Sequence, residues 1–567
     1  MVKQMDILIN IILFIVILGT IIIVHEGGHF YFAKKAGILC PEFSIGMGPL
    51  IYKKVKGETT YCIRAIPIGG YVTMAGEEAT TDLCKKGQKI GLNFDEDGLV
   101  SEIVLKEDLG SAVFGEITDL ELYGEFGEEL FINLKDENNK ETHYKVDHDA
   151  FYIKGRREKI QIMPFDRCFE SKGLFARFKS VLAGPLMNFV LAIILYIIVS
   201  FSVGVPNLDS NVIASVADNY PASIVGVEAG DKIVSFNGEE VSSWIDLNEL
   251  MTKAEKENLS TVSFKVLKKD GSTNRYTVNP ILVFQGLGIT NRNIDETSTD
   301  ESNIGGIKIG DVAFNYYDKA KTSDLDVNDI ITGYKYVSIG SSDNKSEKVN
   351  ELENKSFTPL NSWSELMALA NTLDNSYIIY EYYDSDSKET NKMKETSVIK
   401  VFGDELLNTQ NGQKIIMQVG ITSETHFDFF GSLSSAGSRF KSDFLLISNT
   451  LKLMIHSDSA RMVGASDMGG FVGIYNLIAN VRTNGAINLI AFVAMLSVNI
   501  GIINLLPIPA LDGGRVVFLL YELITRRKPN KKVEGTLTYV VFILLMVFMV
   551  YAFYNDILRL IALKLII

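Results

Sequence analysis

The residues His25-Glu26-Gly27-Gly28-His29 form an HExxH pattern in a chain that has only six histidines. On an α-helix, residues four apart share a face, so His25 and His29 can bind one Zn²⁺. Glu26 then lies beside the metal, where it can act as general base on an activated water. A catalytic zinc takes three protein ligands and keeps one position open. The third ligand has to come from a distant segment, and Asp512, in "NLLPIPALDGGR", is the candidate. A turn or capping aspartate before Gly513-Gly514 is its ordinary alternative role.

The elements that must carry these residues are apolar. Four blocks reach the length of about 20 residues that a bilayer requires. They run over residues 7–24, 181–203, 487–506 and 539–554. The first leads straight into HExxH with no small-residue cleavage site, which argues for a retained helix over a signal peptide. Ionisable groups at the end of a spanning helix are costly and usually functional. Asp512 follows the third block, and Pro507 and Pro509 break the helix before it. Irregular backbone at that depth is tolerated only where it lines a cavity or packs on protein.

Lys34, Lys35, Lys53, Lys54 and Lys56 follow the first block, and Lys172, Arg177 and Lys179 precede the second. Arg515, Arg526, Arg527, Lys528, Lys531 and Lys532 lie between the third and fourth. The positive-inside rule places all three groups in the cytoplasm, together with both halves of the metal site. Residues 205–430 then lie outside. They hold 35 Asp and Glu against 20 Lys and Arg, so the net charge of −14 is mostly an exterior property. This acidity argues against a nucleic-acid partner. Cys40, Cys62, Cys84 and Cys168 all fall on the cytoplasmic side without a C-x-x-C pair, which predicts reduced thiols. His143 and His148, five apart with no cysteine nearby, read as solvated histidines.

Between the spans the pattern is that of small α+β structure. Residues 40–76 predict short strands with Gly69-Gly70 at a turn or bulge. Residues 77–166 predict antiparallel β structure with a turn at residues 137–139. Residues 211–290 give strand, turn, short helix, strand, hairpin and helix, with Asn237-Gly238 as the hairpin turn. This resembles a PDZ domain, through Pro221-Ala222, the Gly230-Asp231-Lys232-Ile233 turn and a helix opening near Trp244. A PDZ domain binds an extended peptide at a sheet edge. Residues 308–425 repeat the order more faintly, after a polar linker at 291–304.

The chain as a whole resembles the bacterial site-2 proteases, an intramembrane zinc metalloprotease family. The resemblance rests on HEGGH at 25–29, "IPIGGYV" at 66–72, "AGPLMNF" at 183–189, the PDZ region, and "NIGIINLLPIPALDGGR" at 499–515. It implies a polytopic α-helical membrane protein of four transmembrane helices, with a membrane-associated β-hairpin, a small cytoplasmic β insert and two extracytoplasmic PDZ-like α+β domains. The expected divisions are 1–37 (first span with HExxH), 38–76 (β-hairpin region), 77–170 (insert) and 171–204 (second span). Then come 205–290 (PDZ), 291–430 (degenerate PDZ-like), 431–485 (membrane-proximal), 486–515 (third span with LDGG) and 516–567 (basic loop and fourth span).

By the same resemblance His25, His29 and Asp512 would be zinc ligands, and Glu26 the base. Asn504 would help hold the substrate or the developing oxyanion. Asn188 would line the site, a helix–helix hydrogen bond being its competing role. Gly69, Gly70 and Tyr71 would belong to a hairpin that engages substrate backbone. The implied location is the bacterial plasma membrane, with the active site near the cytoplasmic face. The implied substrates are pre-trimmed membrane proteins with a single transmembrane helix, such as anti-sigma factors or remnant signal peptides. One departure is Gly470-Phe471-Val472-Gly473, where the family commonly has Gly-Pro-Val-Gly.

Overall fold

The computed structural model describes residues 2–77, 83–106, 110–136, 139–155, 158–284, 289–291, 306–312, 325, 328–340, 343–373, 376–384, 393–396, 398–401, 415–455, 470–483 and 485–566. Most of the linker expected at 291–304 lies outside them, as does most of the turn expected at 137–139. The chain divides into two compact units, one of residues 1–195 and 491–548, the other of residues 196–490 and 549–567.

Four helices are long and apolar enough to cross a membrane. Helix α1 (Val2–Lys35) runs unbroken through the HExxH pattern, and its 34 residues make a rod about 50 Å long. Helix α2 (Leu174–Val203) carries Pro185 inside it. Helix α3 (Ala486–Asn504) is the third, and α5 (Lys531–Ile566) holds the fourth. Leu8, Ile12 and Val16 on α1, and Leu544, Val547 and Val550 on α5, are exposed, as a lipid-facing surface requires.

The third span, read as ending near residue 506, stops at Asn504, where the amides of Leu505 and Leu506 tighten the last turn by bonding the carbonyls of Ile502 and Ile503. Pro507 and Pro509 forbid continuation. A separate helix, α4 (Asp512–Thr525), then begins at Asp512 itself.

Between α1 and α2 stand two β structures. Strands β1 (Glu42–Lys56) and β2 (Thr59–Thr73) pair with repeated register shifts. Residues 42–45 lie between 60–63 on one side and 70–73 on the other. The stretch 70–73 therefore forms an edge, with a strand partner on one side only among the described residues. Strands β3 (Lys89–Phe94), β4 (Val100–Val104), β5 (Val113–Glu121), β6 (Phe131–Lys135), β7 (Glu141–Gly155) and β8 (Glu158–Gln161) form one sheet in the order β4-β3-β5-β6-β7-β8. A parallel pairing of β4 with β7 closes five of them into a barrel. Ile90, Leu92, Ile103, Ile117 and Ile132 fill its interior. The antiparallel reading of this insert is thus corrected at one seam, which sequence alternation cannot reveal.

In the other unit, helices Trp244–Lys256 and Trp363–Thr372 begin alike. Ser243 accepts from the Asp246 amide, and Ser362 from the Glu365 amide. The boundary expected at residue 290 falls inside a continuous pairing. Strand Ile281–Phe284 pairs with Ile415–Gln418, and Ile213–Val216 with Ile421–Ser423. The second copy is therefore flanked by strands that pair with the first, and one apolar core, from Ile213 and Phe236 to Leu366 and Met417, serves both. The stretch 431–485 holds most of helix Phe429–Ile455 and all of Phe471–Thr483. Asp556 accepts from the Gly470 and Gly473 amides at the start of the latter, at 3.3 and 3.1 Å. A carboxylate thus satisfies the amides at this helix start.

Candidate active site

His25 and His29 sit one turn apart on α1 and are 8% and 6% exposed. Their Nε2 atoms are 3.3 Å apart. Asp512 Oδ2 lies 3.2 Å from His25 Nε2 and 3.3 Å from His29 Nε2. Three donors thus form a near-equilateral triangle. Ligands bound at about 2.0–2.1 Å to a tetrahedral ion stand about 3.3 Å from one another, so the triangle matches one face of a zinc polyhedron. Asp512 Oδ2 is buried and accepts no hydrogen bond, as an oxygen reserved for a cation would be. Among the described residues, this is the single cluster of such donors.

Close packing of α1 on α2 sets the histidines. A Cβ built on Gly28 would stand 2.6 Å from the Ala183 carbonyl oxygen, and one on Gly184 would overlap the His29 ring. The bare backbone of α2 can therefore reach the imidazole. His29 Nδ1 donates to the Ser180 carbonyl at 2.8 Å, which leaves the lone pair on Nε2 for a metal. The Asn188 side-chain amide, fully buried, lies 3.2 Å from His25 Nδ1, and the Ser497 hydroxyl of α3 donates to the Asn188 carbonyl at 2.8 Å.

Asp512 is set by the broken segment before it. Ala510 has φ +86°, a left-handed conformation that costs a residue with a Cβ about 1–3 kcal/mol and is retained where surroundings over-determine it. Asp512 then opens α4, where helix dipoles favour a carboxylate. Arg177 of α2 makes a bidentate pair with Glu522 of α4 at 2.9 and 2.6 Å. Arg515, one turn beyond Asp512, pairs with Glu77, four residues past the edge strand. Neither pair was anticipated from sequence, nor was the Ser180 carbonyl. The one local hint was the glycine of "AGPLMNF".

The edge strand approaches Glu26. A Cβ on Gly70 would stand 3.1 Å from Glu26 Cγ and 2.8 Å from Ile22 Cγ2, so only glycine allows strand and helix this close. Gly69 has φ +82° and turns the chain into the strand. Tyr71 faces elsewhere: its hydroxyl donates to Glu42 at 2.6 Å, and Arg64 reaches the same oxygen at 2.7 Å. Burial pulls the Glu42 carboxyl upward, but these two donors prevail and hold it below its ordinary value. Asn504 ends α3 half-buried, and its side chain makes no hydrogen bond among the described residues.

Comparison with known proteins accords with this geometry. The family profile described as Peptidase family M50 matches residues 13–548. A protein named zinc metalloprotease RasP from Bacillus licheniformis is 29% identical over 97% of this chain and 99% of its own length. A second of that name, from Shouchella clausii, is also 29% identical with the same coverage. The regulator of sigma-W protease RasP from Bacillus subtilis (strain 168) is 28% identical, again over 97% and 99%. With nearly its whole length matched, the chain belongs to peptidase family M50 and is a membrane zinc metalloprotease.

Proposed function

We propose that His25, His29 and Asp512 hold the zinc ion, and that the enzyme cuts peptide bonds within transmembrane segments. The observation that carries this reading is the convergence of three buried donors at the foot of a spanning helix, with a strand edge open beside Glu26.

Zinc held there supplies the Lewis acidity that acidifies a water and polarises the scissile carbonyl. Glu26 takes the proton from that water and passes it to the leaving amine nitrogen. The Asn504 amide, free of partners among the described residues, donates to the oxygen on which charge develops. A peptide bond in a membrane helix is hidden by its own hydrogen bonds, so the substrate must open locally. Residues 70–73 take the opened segment as an added strand and present it to Glu26, the contribution of Gly69 and Gly70 being backbone shape. Tyr71 supports that strand through Glu42.

The lysines and arginines flanking the spans support a multi-pass arrangement with the site near the cytoplasmic face and residues 205–430 outside. The two nested α+β copies there act as PDZ-like modules that admit only substrates already trimmed outside. The Bacillus subtilis relative is named a regulator of sigma-W protease. By that likeness the substrates are single-span membrane proteins, anti-sigma factors or remnant signal peptides among them.

The test uses the full chain in detergent, with zinc content and cleavage of a trimmed single-span substrate measured for wild type and Glu26→Gln. Wild type should hold about one zinc and cut, and the variant should hold zinc without cutting. Zinc in both proteins with cleavage in both would remove Glu26 from the mechanism.

A further inference from the structure

We infer that Asn188 is the residue that orients His25 for the metal, as the Ser180 carbonyl orients His29. The inference rests on the proposed ligand set and gives Asn188, expected to line the site, a role toward the metal.

A metal-bound imidazole presents the lone pair of one nitrogen and carries its proton on the other. For His29 the proton is assigned by chemistry, because a carbonyl such as Ser180 O can only accept. His25 must satisfy the same condition at Nδ1, and among the described residues the Asn188 amide is the side chain that bonds it. An amide can present either end. With Nδ2 facing Nδ1 the imidazole proton is forced onto Nε2, the atom aimed at Asp512 and His29. A proton there excludes a cation. Turned over, the amide offers Oδ1, which otherwise is buried and accepts nothing. Nδ1–H then donates to it, and Nε2 is left free.

Two further observations favour this role. Asn188 is fully buried, so no water competes for the amide. Its backbone carbonyl is already anchored by Ser497, so the helix–helix bond at this position is made by the main chain and does not need the side chain. The residues that hold the two imidazoles, Ser180 and Asn188, lie on one helix, eight positions apart. One element, α2, therefore orients both histidines of α1. Ligand-orienting partners of this kind typically change metal affinity 10–100-fold.

The experiment is a chelator-competition titration of zinc on the full chain in detergent, for wild type, His29→Ala, Asn188→Leu, Asn188→Asp and Ser497→Ala. His29→Ala tests the ligand set itself: zinc retained there at wild-type affinity would overturn that reading, whatever the Asn188 variants do. Asn188→Leu keeps the volume and removes the acceptor, and should bind zinc about 10–100-fold more weakly. Asn188→Asp keeps an acceptor at either oxygen and should stay within a few-fold of wild type. Ser497→Ala removes the interhelical bond and should leave zinc affinity unchanged. Wild-type affinity in Asn188→Leu, equal losses in Leu and Asp, or an equal loss in Ser497→Ala would each overturn the inference. Should Asn188→Leu not fold, Asn188→Asp decides alone: retained zinc supports the role, and affinity as low as that of His29→Ala rejects it.

Discussion

Two pairs of histidines in this protein show what spacing means only once the element is known. His25 and His29 are four apart on a helix and converge on one carboxylate. His143 and His148 are five apart on β7, whose register on β4 jumps between Val146 and Phe151, so the interval does not stack their side chains as one helical turn does. Their partners differ accordingly: His143 bonds Asn133, and His148 bonds Asp166, both at 2.8 Å. The first pair is buried, whereas the second is about half exposed, at 48% and 45%. The barrel around the second pair is an apolar core with ions on its surface. The helix crossing around the first is the reverse, with polar groups inside and apolar side chains outside.

The sharpest break of this comparison is Glu26→Gln against His148→Ala. The loss of a general base should slow cleavage about 10²–10⁴-fold with zinc retained. His148→Ala should leave both zinc content and cleavage rate unchanged, and a measured loss in either would give the barrel a part in the chemistry.

Ion pairs extend the contrast. Arg177 and Glu522 are 8% and 16% exposed, so Arg177→Ala strands a carboxylate and should cost about 3–5 kcal/mol in a detergent unfolding assay. The barrel pair Lys159–Glu102 is 58% and 29% exposed, and Lys159→Ala should cost less than about 1 kcal/mol. Equal losses would mean that α4 is not held through Arg177.

Adjacent glycines give a finer test. Gly28→Ala meets the Ala183 carbonyl and should destabilise by about 1–3 kcal/mol while weakening zinc binding. Gly27→Ala meets nothing within 4 Å and should retain zinc, with a small gain from better helix propensity. Thermal melts with and without chelator separate the two.

The smallest effect concerns pH. The folded state holds the Glu42 carboxyl below its ordinary value, so its contribution is present above the unfolded value of about 4.3 and is lost as pH falls through the folded one. Hydrogen-exchange protection at residues 70–73, taken relative to the intrinsic amide rate at each pH, should therefore fall in acid below about pH 4. Arg64→Gln should lose that acid dependence, and an unchanged profile would mean that Glu42 does not hold the edge strand.

These contrasts also mark where sequence reading works. Helical periodicity places His25 and His29 together without further knowledge, and hydropathy puts Asp512 at a comparable depth. Spans are legible because each is one uninterrupted local signal. The third ends within two residues of the reading, because Pro507 and Pro509 stop the helix where the apolar run would carry it on. Arg177 and Glu522 are 345 residues apart, and nothing local to either names the other. The nesting of one α+β copy within the other is hidden for the same reason. Pairing of Ile213–Val216 with Ile421–Ser423 depends on register across the chain, which side-chain alternation does not specify.

The proposed metal triangle joins residues far apart in the chain, with consequences for how the enzyme is made. His29 and Asp512 are separated by roughly 480 residues. At about 5–20 residues per second, synthesis of that interval takes on the order of 25–100 s. Throughout it, the first span can sit in the bilayer with its histidines one ligand short. On the proposed ligand set, a chain cut short before Asp512 lacks the third ligand and should be inactive.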